Sequence, residues 1–250
     1  MTGSHLRQFA KRIQSKLLFI PATFSLIVAA RRKRPTELWI GDSHAMSTNH
    51  EIVSSMFMRG SDGQLILRCG ARLLYSIARD GWPPRVTRVV DLVAPFVRPG
   101  SLVPIFSAGE IDIRAHMSRR PTDPLDYVPA YVGRCEALAR RLKADRTGYL
   151  RPPPPCTRAE AEVWYPIVGT LEQLVDNAER LNTSLTSALE AVPDAVLLDF
   201  SDILRDPING GILPQYTDDG VHTNLLAVTR IRQAMGRYAL TEHRELPHKT

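Results

Sequence analysis

Cysteine is scarce in this chain of 250 residues: there are three, Cys69, Cys135 and Cys156, scattered and never closely paired. That excludes a disulfide framework and the close-set ligand spacing of a zinc site, and it fits a reducing, cytoplasmic setting. Long hydrophobic runs are missing too. The uncharged, mostly apolar stretch Leu17–Ala30 has 14 residues and contains Pro21, so it is too short to span a bilayer as a helix. Acidic residues are absent from the first 34 positions, which hold eight of the 32 basic residues (Arg7, Lys11, Arg12, Lys16, Arg31, Arg32, Lys33 and Arg34). The rest of the chain carries 24 basic residues against all 26 acidic ones, a net of −2. The overall charge of +6 therefore belongs to an N-terminal appendage, and a nucleic-acid-binding body with its own basic face is not expected. Internal repeats are lacking, and the one low-complexity stretch is Pro152–Pro155.

What is present suffices for one large core. Residues 1–35 form the basic, apolar appendage, 36–240 the domain and 241–250 a polar tail. Within the appendage, Phe9, Ile13, Leu17, Ile20 and Phe24 recur at helical spacing among basic residues. Three readings stay open: a signal peptide, an anchor on an anionic membrane surface through residues 1–34, and a helix folded onto the domain or a partner, which is the leading one.

Beyond residue 35, short β-like runs alternate with helical patterns, as in a parallel sheet covered on both faces. Strands are expected at Glu37–Ile40, Gln64–Arg68, Leu102–Phe106 and Ala195–Phe200, with a weaker one near Tyr149. Helices are expected at Tyr127–Leu142, Leu171–Val192 and Asn224–Leu240. In the second of these, Leu174, Ala178, Leu181, Leu185 and Leu189 belong to one apolar stripe, a core face. Trp164 and Tyr165, after the prolines, either line a pocket at the sheet's carboxyl edge or plug the domain's edge.

Two short stretches carry the chemistry. "IGDSHA", residues 40–45, ends a β-like run, and "YTDDGVHTN", residues 216–224, precedes the last helix. A serine hydroxyl needs a base within hydrogen-bond reach, and an imidazole base needs a carboxylate to fix its tautomer and stabilise its cation. Ser43, His222 and Asp219 supply those three groups, with Asp218 a second candidate for the acid. Asp42 reads as a structural residue that ties its own turn, and His44 as the start of a helix pointing away from the nucleophile.

"GDSH" near the start and "DGVH" near the end resemble the SGNH, or GDSL-type, hydrolases over about residues 36–240. The resemblance implies an α/β, flavodoxin-like three-layer α/β/α sandwich around a mostly parallel sheet. It implies an oxyanion hole made by the backbone N–H groups of Ser43 and Gly70, with no metal and no cofactor. The family's third donor, an asparagine in a Gly-x-Asn-Asp block, does not carry over. The matching stretch is "SAGEIDIRAH", where Gly109 and Asp112 fit but Ile111 stands at the asparagine position. Losing such a donor costs about 10²–10³ in rate, so Asp112, Arg114 and His116 become candidates for substrate or oxyanion support. Asp112 and Arg114 could instead form a structural ion pair.

Within the family, "GEIDIRAH", the proline loop and the DGVH ending resemble octanoyl-transferring members of actinobacterial sugar metabolism, which act on glucosylglycerate-type precursors of methylglucose lipopolysaccharide. This implies acyl transfer through an acyl-serine from an acyl-CoA donor to a sugar hydroxyl acceptor. Arg68, Arg72, Arg119 and Arg120 are then candidates to meet the CoA phosphates. Two alternatives stand beside it: a carbohydrate or lipid esterase with the same triad, and a non-catalytic, membrane-tethered binding module.

Overall fold

The computed structural model describes residues 23–46, 57–59, 65–156, 166–238 and 240. Trp164, Tyr165, the first 22 residues of the appendage and the tail 241–250 lie outside them.

A six-stranded sheet forms the middle layer. Its strands are β1 (Thr36–Gly41), β2 (Phe57–Arg59), β3 (Leu65–Arg68), β4 (Leu102–Ser107), β5 (Thr147–Leu150) and β6 (Ala195–Leu198), in the order β2-β3-β1-β4-β5-β6. Five strands are parallel, and β2 runs antiparallel to β3 at one edge. Leaving out that edge strand, the order is that of a flavodoxin-like doubly wound sheet. The central strands are buried on both sides, which is why Leu38-Trp39-Ile40 and Leu102–Phe106 read as continuous apolar runs rather than alternating ones.

Pro104 stands inside a central strand, and the register explains why it is tolerated. Ser101 and Ser107 give their carbonyls to the amides of Thr36 and Asp42, so odd-numbered positions of β4 face β1 and Pro104 faces β5. The β5 ladder begins only at Ile105, opposite Gly148, so the missing N–H removes no rung.

Helices cover both faces. On one side lie α1 (residues 23–30), α2 (Leu74–Asp80), α3 (Pro84–Val93), α4 (Tyr127–Arg141) and α5 (Leu171–Glu190), packed over Leu38, Ile40, Leu67 and Phe106. On the other, α6 (Ser201–Leu204) and α7 (Leu225–Met235) cover Trp39, Ile66, Val103 and Ile105. The architecture is thus the three-layer α/β/α sandwich. Helix α5 starts with a full capping box: Thr170 and Gln173 exchange side-chain and backbone hydrogen bonds. Helix α2 has no side-chain cap from its own N-terminal neighbour; the Asp112 carboxylate, 38 residues away, accepts from the amides of Leu74 at 2.6 Å and Tyr75 at 3.1 Å.

The described end of the appendage is part of the body. Leu26, Ala29 and Ala30 of α1 are buried in the larger core, and the Ala30 carbonyl accepts from Ser101 Oγ and the Arg98 amide. Among the described residues, no helix is long and apolar enough to cross a membrane.

Candidate active site

Strand β1 lies between β3 and β4; the chain leaving its carboxyl end goes toward β3 and the chain leaving β4 goes toward β5, so the two connections part and open a crevice there. Ser43 lies two residues past that end, in a 3-10 turn over Ser43–Met46. Its height is set by backbone. Gly41 pairs with Ser107, and a Cβ at Gly41 would overlap the Ser107 carbonyl and sit 2.9 Å from Ser107 Cβ, so only glycine fits. The turn is tied as expected by Asp42, whose Oδ1 accepts from the His44 amide at 2.9 Å.

The loop before α7 brings up the other two groups. Gly220, at φ +78°, donates to Thr217 Oγ1, and Thr217 bridges to Thr223, folding the chain back on itself. Asn224 then caps α7 by accepting from the amides of Leu226 and Ala227. Between these anchors, Asp219 Oδ1 accepts from the backbone amides of Val221 and His222 at 2.8 and 2.7 Å. Its Oδ2 lies 2.6 Å from His222 Nδ1, and His222 Nε2 lies 2.9 Å from Ser43 Oγ. Partial burial raises the Asp219 pKa, but the bonds from the His222 ring and the two amides outweigh it and hold the carboxyl below its ordinary range. Asp218 is exposed and accepts from Asn224 Nδ2 instead.

His44 does not point away. The turn after Ser43 is 3-10 rather than α-helical, and it lays the His44 ring against His222, with centroids 5.4 Å apart and planes 23° from parallel. His44 Nε2 lies 3.4 Å from Glu110, whose other oxygen is 2.7 Å from Arg114 Nε. Burial opposes charge on His44, yet Glu110 and Asp42 together raise its pKa above 6.5. Burial likewise opposes the Glu110 carboxylate, while His44 and Arg114 draw its pKa down. A buried row of charges therefore backs the imidazole of His222.

The remaining expected residues lie as follows. Gly70 follows β3 with φ +79°, a conformation that suits glycine. Gly109 has φ +118°, and a Cβ there would crowd Leu181 and Pro152. Ile111 is buried and has no donor to offer. Asp112 spends its carboxylate on α2, and burial pushes its pKa up to about 7 although the amides of Tyr75 and Leu74 pull the other way. Arg114 is occupied by Glu110, and His116 turns to Asp123 and stacks on Tyr75 at 4.7 Å. Both belong to a helical segment that is π-helical over Asp112–Met117. Sequence reasoning missed Glu110, although its i,i+4 spacing to Arg114 marks a helix-surface pair.

No family model matches the sequence, and no curated protein matches it. Solved structures do. A protein described as a platelet activating factor from Streptococcus pneumonia aligns at 15% identity, over 95% of this chain and 99% of its own, with a TM-score of 0.55. A protein described as an acylhydrolase from Bacteroides fragilis aligns at 15% identity over 85% and 91%, with a TM-score of 0.51. The carbohydrate acetylesterase Est24 from Sinorhizobium meliloti aligns at 17% identity over 82% and 97%, with a TM-score of 0.50. At these identities the likeness is one of fold.

Proposed function

We propose that this chain is a serine-dependent acyltransferase of the SGNH type, moving a short or medium acyl chain, octanoyl as the working case, from acyl-CoA to a sugar hydroxyl such as that of glucosylglycerate. The observation that carries it is the unbroken relay from Ser43 Oγ through His222 to Asp219. In the first half-reaction Ser43 attacks the thioester carbonyl while His222 Nε2 takes its proton. Asp219 stabilises the imidazolium at Nδ1, and the N–H groups of Ser43 and Gly70 receive the oxyanion. The carbon–sulfur bond breaks and His222 returns the proton to the leaving thiolate. In the second half-reaction a sugar hydroxyl attacks the acyl-serine, its proton passes to His222, and collapse frees the ester and restores the Ser43 hydroxyl.

A cleft lies next to the acid's loop, with neither Ser43 nor His222 in its lining. It measures about 360 Å³, is lined among others by Pro155, Leu171, Ile212, Asn209 and Asp218, and has both apolar and polar walls. The runner-up is a carbohydrate or lipid esterase with the same residues, favoured by the half-exposed Ser43, His222 and Asp219, which water can reach. Thiol release from octanoyl-CoA, followed with and without glucosylglycerate, separates the two. Sugar-dependent release abolished by Ser43→Ala supports the transferase, and sugar-independent release supports the hydrolase. Failure of a fluorophosphonate probe to label Ser43 would overturn both in favour of a non-catalytic module.

A further inference from the structure

Seven large apolar side chains are exposed among the described residues, and four of them lie on α1 and on α3 with the turn after it, two neighbours that meet where the chain leaves α1. On α1, Phe24 and Val28 are 66% and 39% exposed and lie one turn apart, on the face opposite the buried Leu26, Ala29 and Ala30. After α3, Leu92 and Phe96 are 52% and 44% exposed. The two sides are joined: the Arg31 guanidinium stands 5.9 Å over the Phe96 ring, and the Arg98 amide donates to the Ala30 carbonyl. Thr87 and Asp91, on the other flank of α3, face α4 through Arg141, which leaves Leu92 on the side away from α4.

Basic residues outnumber acidic ones around this patch, where Asp91 on α3 and Asp145 beside Gly100 are the acids. Arg31, Arg32, Lys33 and Arg34 run along its edge, all exposed, and Arg88 and Arg98 are exposed on and just after α3. The acid on α3, Asp91, is paired with Arg141. The chain that enters the patch at Thr23 adds four more basic residues and no acid in positions 1–22. A scattered exposed leucine needs no explanation, but bulky apolar side chains ringed by cations have a specific physical fit. They match the interface of a bilayer with anionic headgroups, where rings and aliphatic chains enter the acyl boundary and cations stay at the phosphates.

We infer that the Phe24–Val28–Leu92–Phe96 face, with Arg31–Arg34 at its rim, docks the protein peripherally on an anionic lipid surface. The inference does not depend on the acyl-transfer reading. Nor does it need residues 1–22 to act alone, because the face is built into the folded body.

The test is co-sedimentation of the full chain with vesicles of phosphatidylcholine, with and without about one-third phosphatidylglycerol. Binding is expected to the anionic vesicles only, and to weaken when salt is raised to about 0.5 M, where screening is short-ranged. Arg32→Gln/Lys33→Gln/Arg34→Gln should weaken partitioning roughly a hundredfold, at about fivefold per basic residue near the surface. Phe24→Ser/Phe96→Ser should weaken it at least about tenfold while circular dichroism stays that of the folded protein, with a melting point lowered only by the loss of the Arg31–Phe96 contact. Equal binding to neutral vesicles, no binding to either, or undiminished binding by both variants would overturn the inference. So would a concentration-dependent dimer that Phe24→Ser/Phe96→Ser dissolves, because the face would then belong to a second copy.

Discussion

Replacing Glu110 by glutamine keeps its size and one acceptor oxygen but removes the charge that Arg114 at 2.7 Å and His44 at 3.4 Å share. Arg114 and His44 are almost wholly buried and Glu110 is 13% exposed, so the two cations lose a partner that water cannot replace. Removing one partner of a buried ion pair costs about 3–5 kcal/mol, and in a domain of this size each kcal/mol moves the melting temperature by about 2–4 °C. Glu110→Gln should therefore melt about 6–20 °C below the wild type at pH 6. The pH dependence adds a sign. His44 has a raised folded pKa, so its contribution is complete below its ordinary value of 6.5 and is lost as pH rises through the folded value. Glu110 has a lowered one, so its contribution is present above 4.5 and is lost as pH falls through the folded value. The gap between wild type and variant should accordingly widen from pH 8.5 to pH 6 and close again at strongly acid pH. Thermal unfolding followed by circular dichroism measures it. A drop of less than about 3 °C at pH 6, or a gap that narrows from pH 8.5 to pH 6, would refute the argument that the cluster holds a buried, mutually compensated charge row.

Asp219→Asn should leave the loop folded, because Oδ1 can still accept from the two amides, yet lower kcat by a factor on the order of 10²–10⁴ with KM little changed; steady-state kinetics on the substrate identified by thiol release tests this. Gly70→Ala should lower kcat about tenfold or more, since an L-residue resists φ +79° and displaces the proposed oxyanion amide; normal kcat in a folded variant would remove Gly70 from the site. Asn224→Ala strips the α7 cap and should cost about 1 kcal/mol, read as a melting shift of about 2–4 °C. Gly41→Ala should abolish soluble expression, because no rearrangement of side chains relieves a clash with the Ser107 backbone.

How much of this was legible in the sequence varies by element, for physical reasons. The central strands and the long helices are legible because burial sets their apolar pattern: the expected Leu102–Phe106 and Leu171–Val192 end within two residues of the observed bounds. Helices α2 and α3 are not among the expected elements; α2 has only seven residues and relies for its cap on Asp112, a partner remote in sequence. The serine, histidine and aspartate could be named in advance because each stands in a short motif beside an element boundary. The charge row behind His222 could not, because it joins residues 42–44 to 110–114 across the sheet. The likeness to octanoyl-transferring enzymes likewise speaks of substrates, which a backbone shared at 15–17% identity does not encode.

Pro104 has a consequence for assembly of the sheet that reaches the crevice from the far side. If β4 slipped by one residue against β1, the imino nitrogen would turn toward β1 and an acceptor there would go unanswered in the middle of the sheet. The proline thus bars every slip of β4 by an odd number of residues. By forbidding the adjacent alignments it favours the pairing of Gly41 with Ser107, so the depth at which the serine sits depends in part on a residue that takes no part in the chemistry.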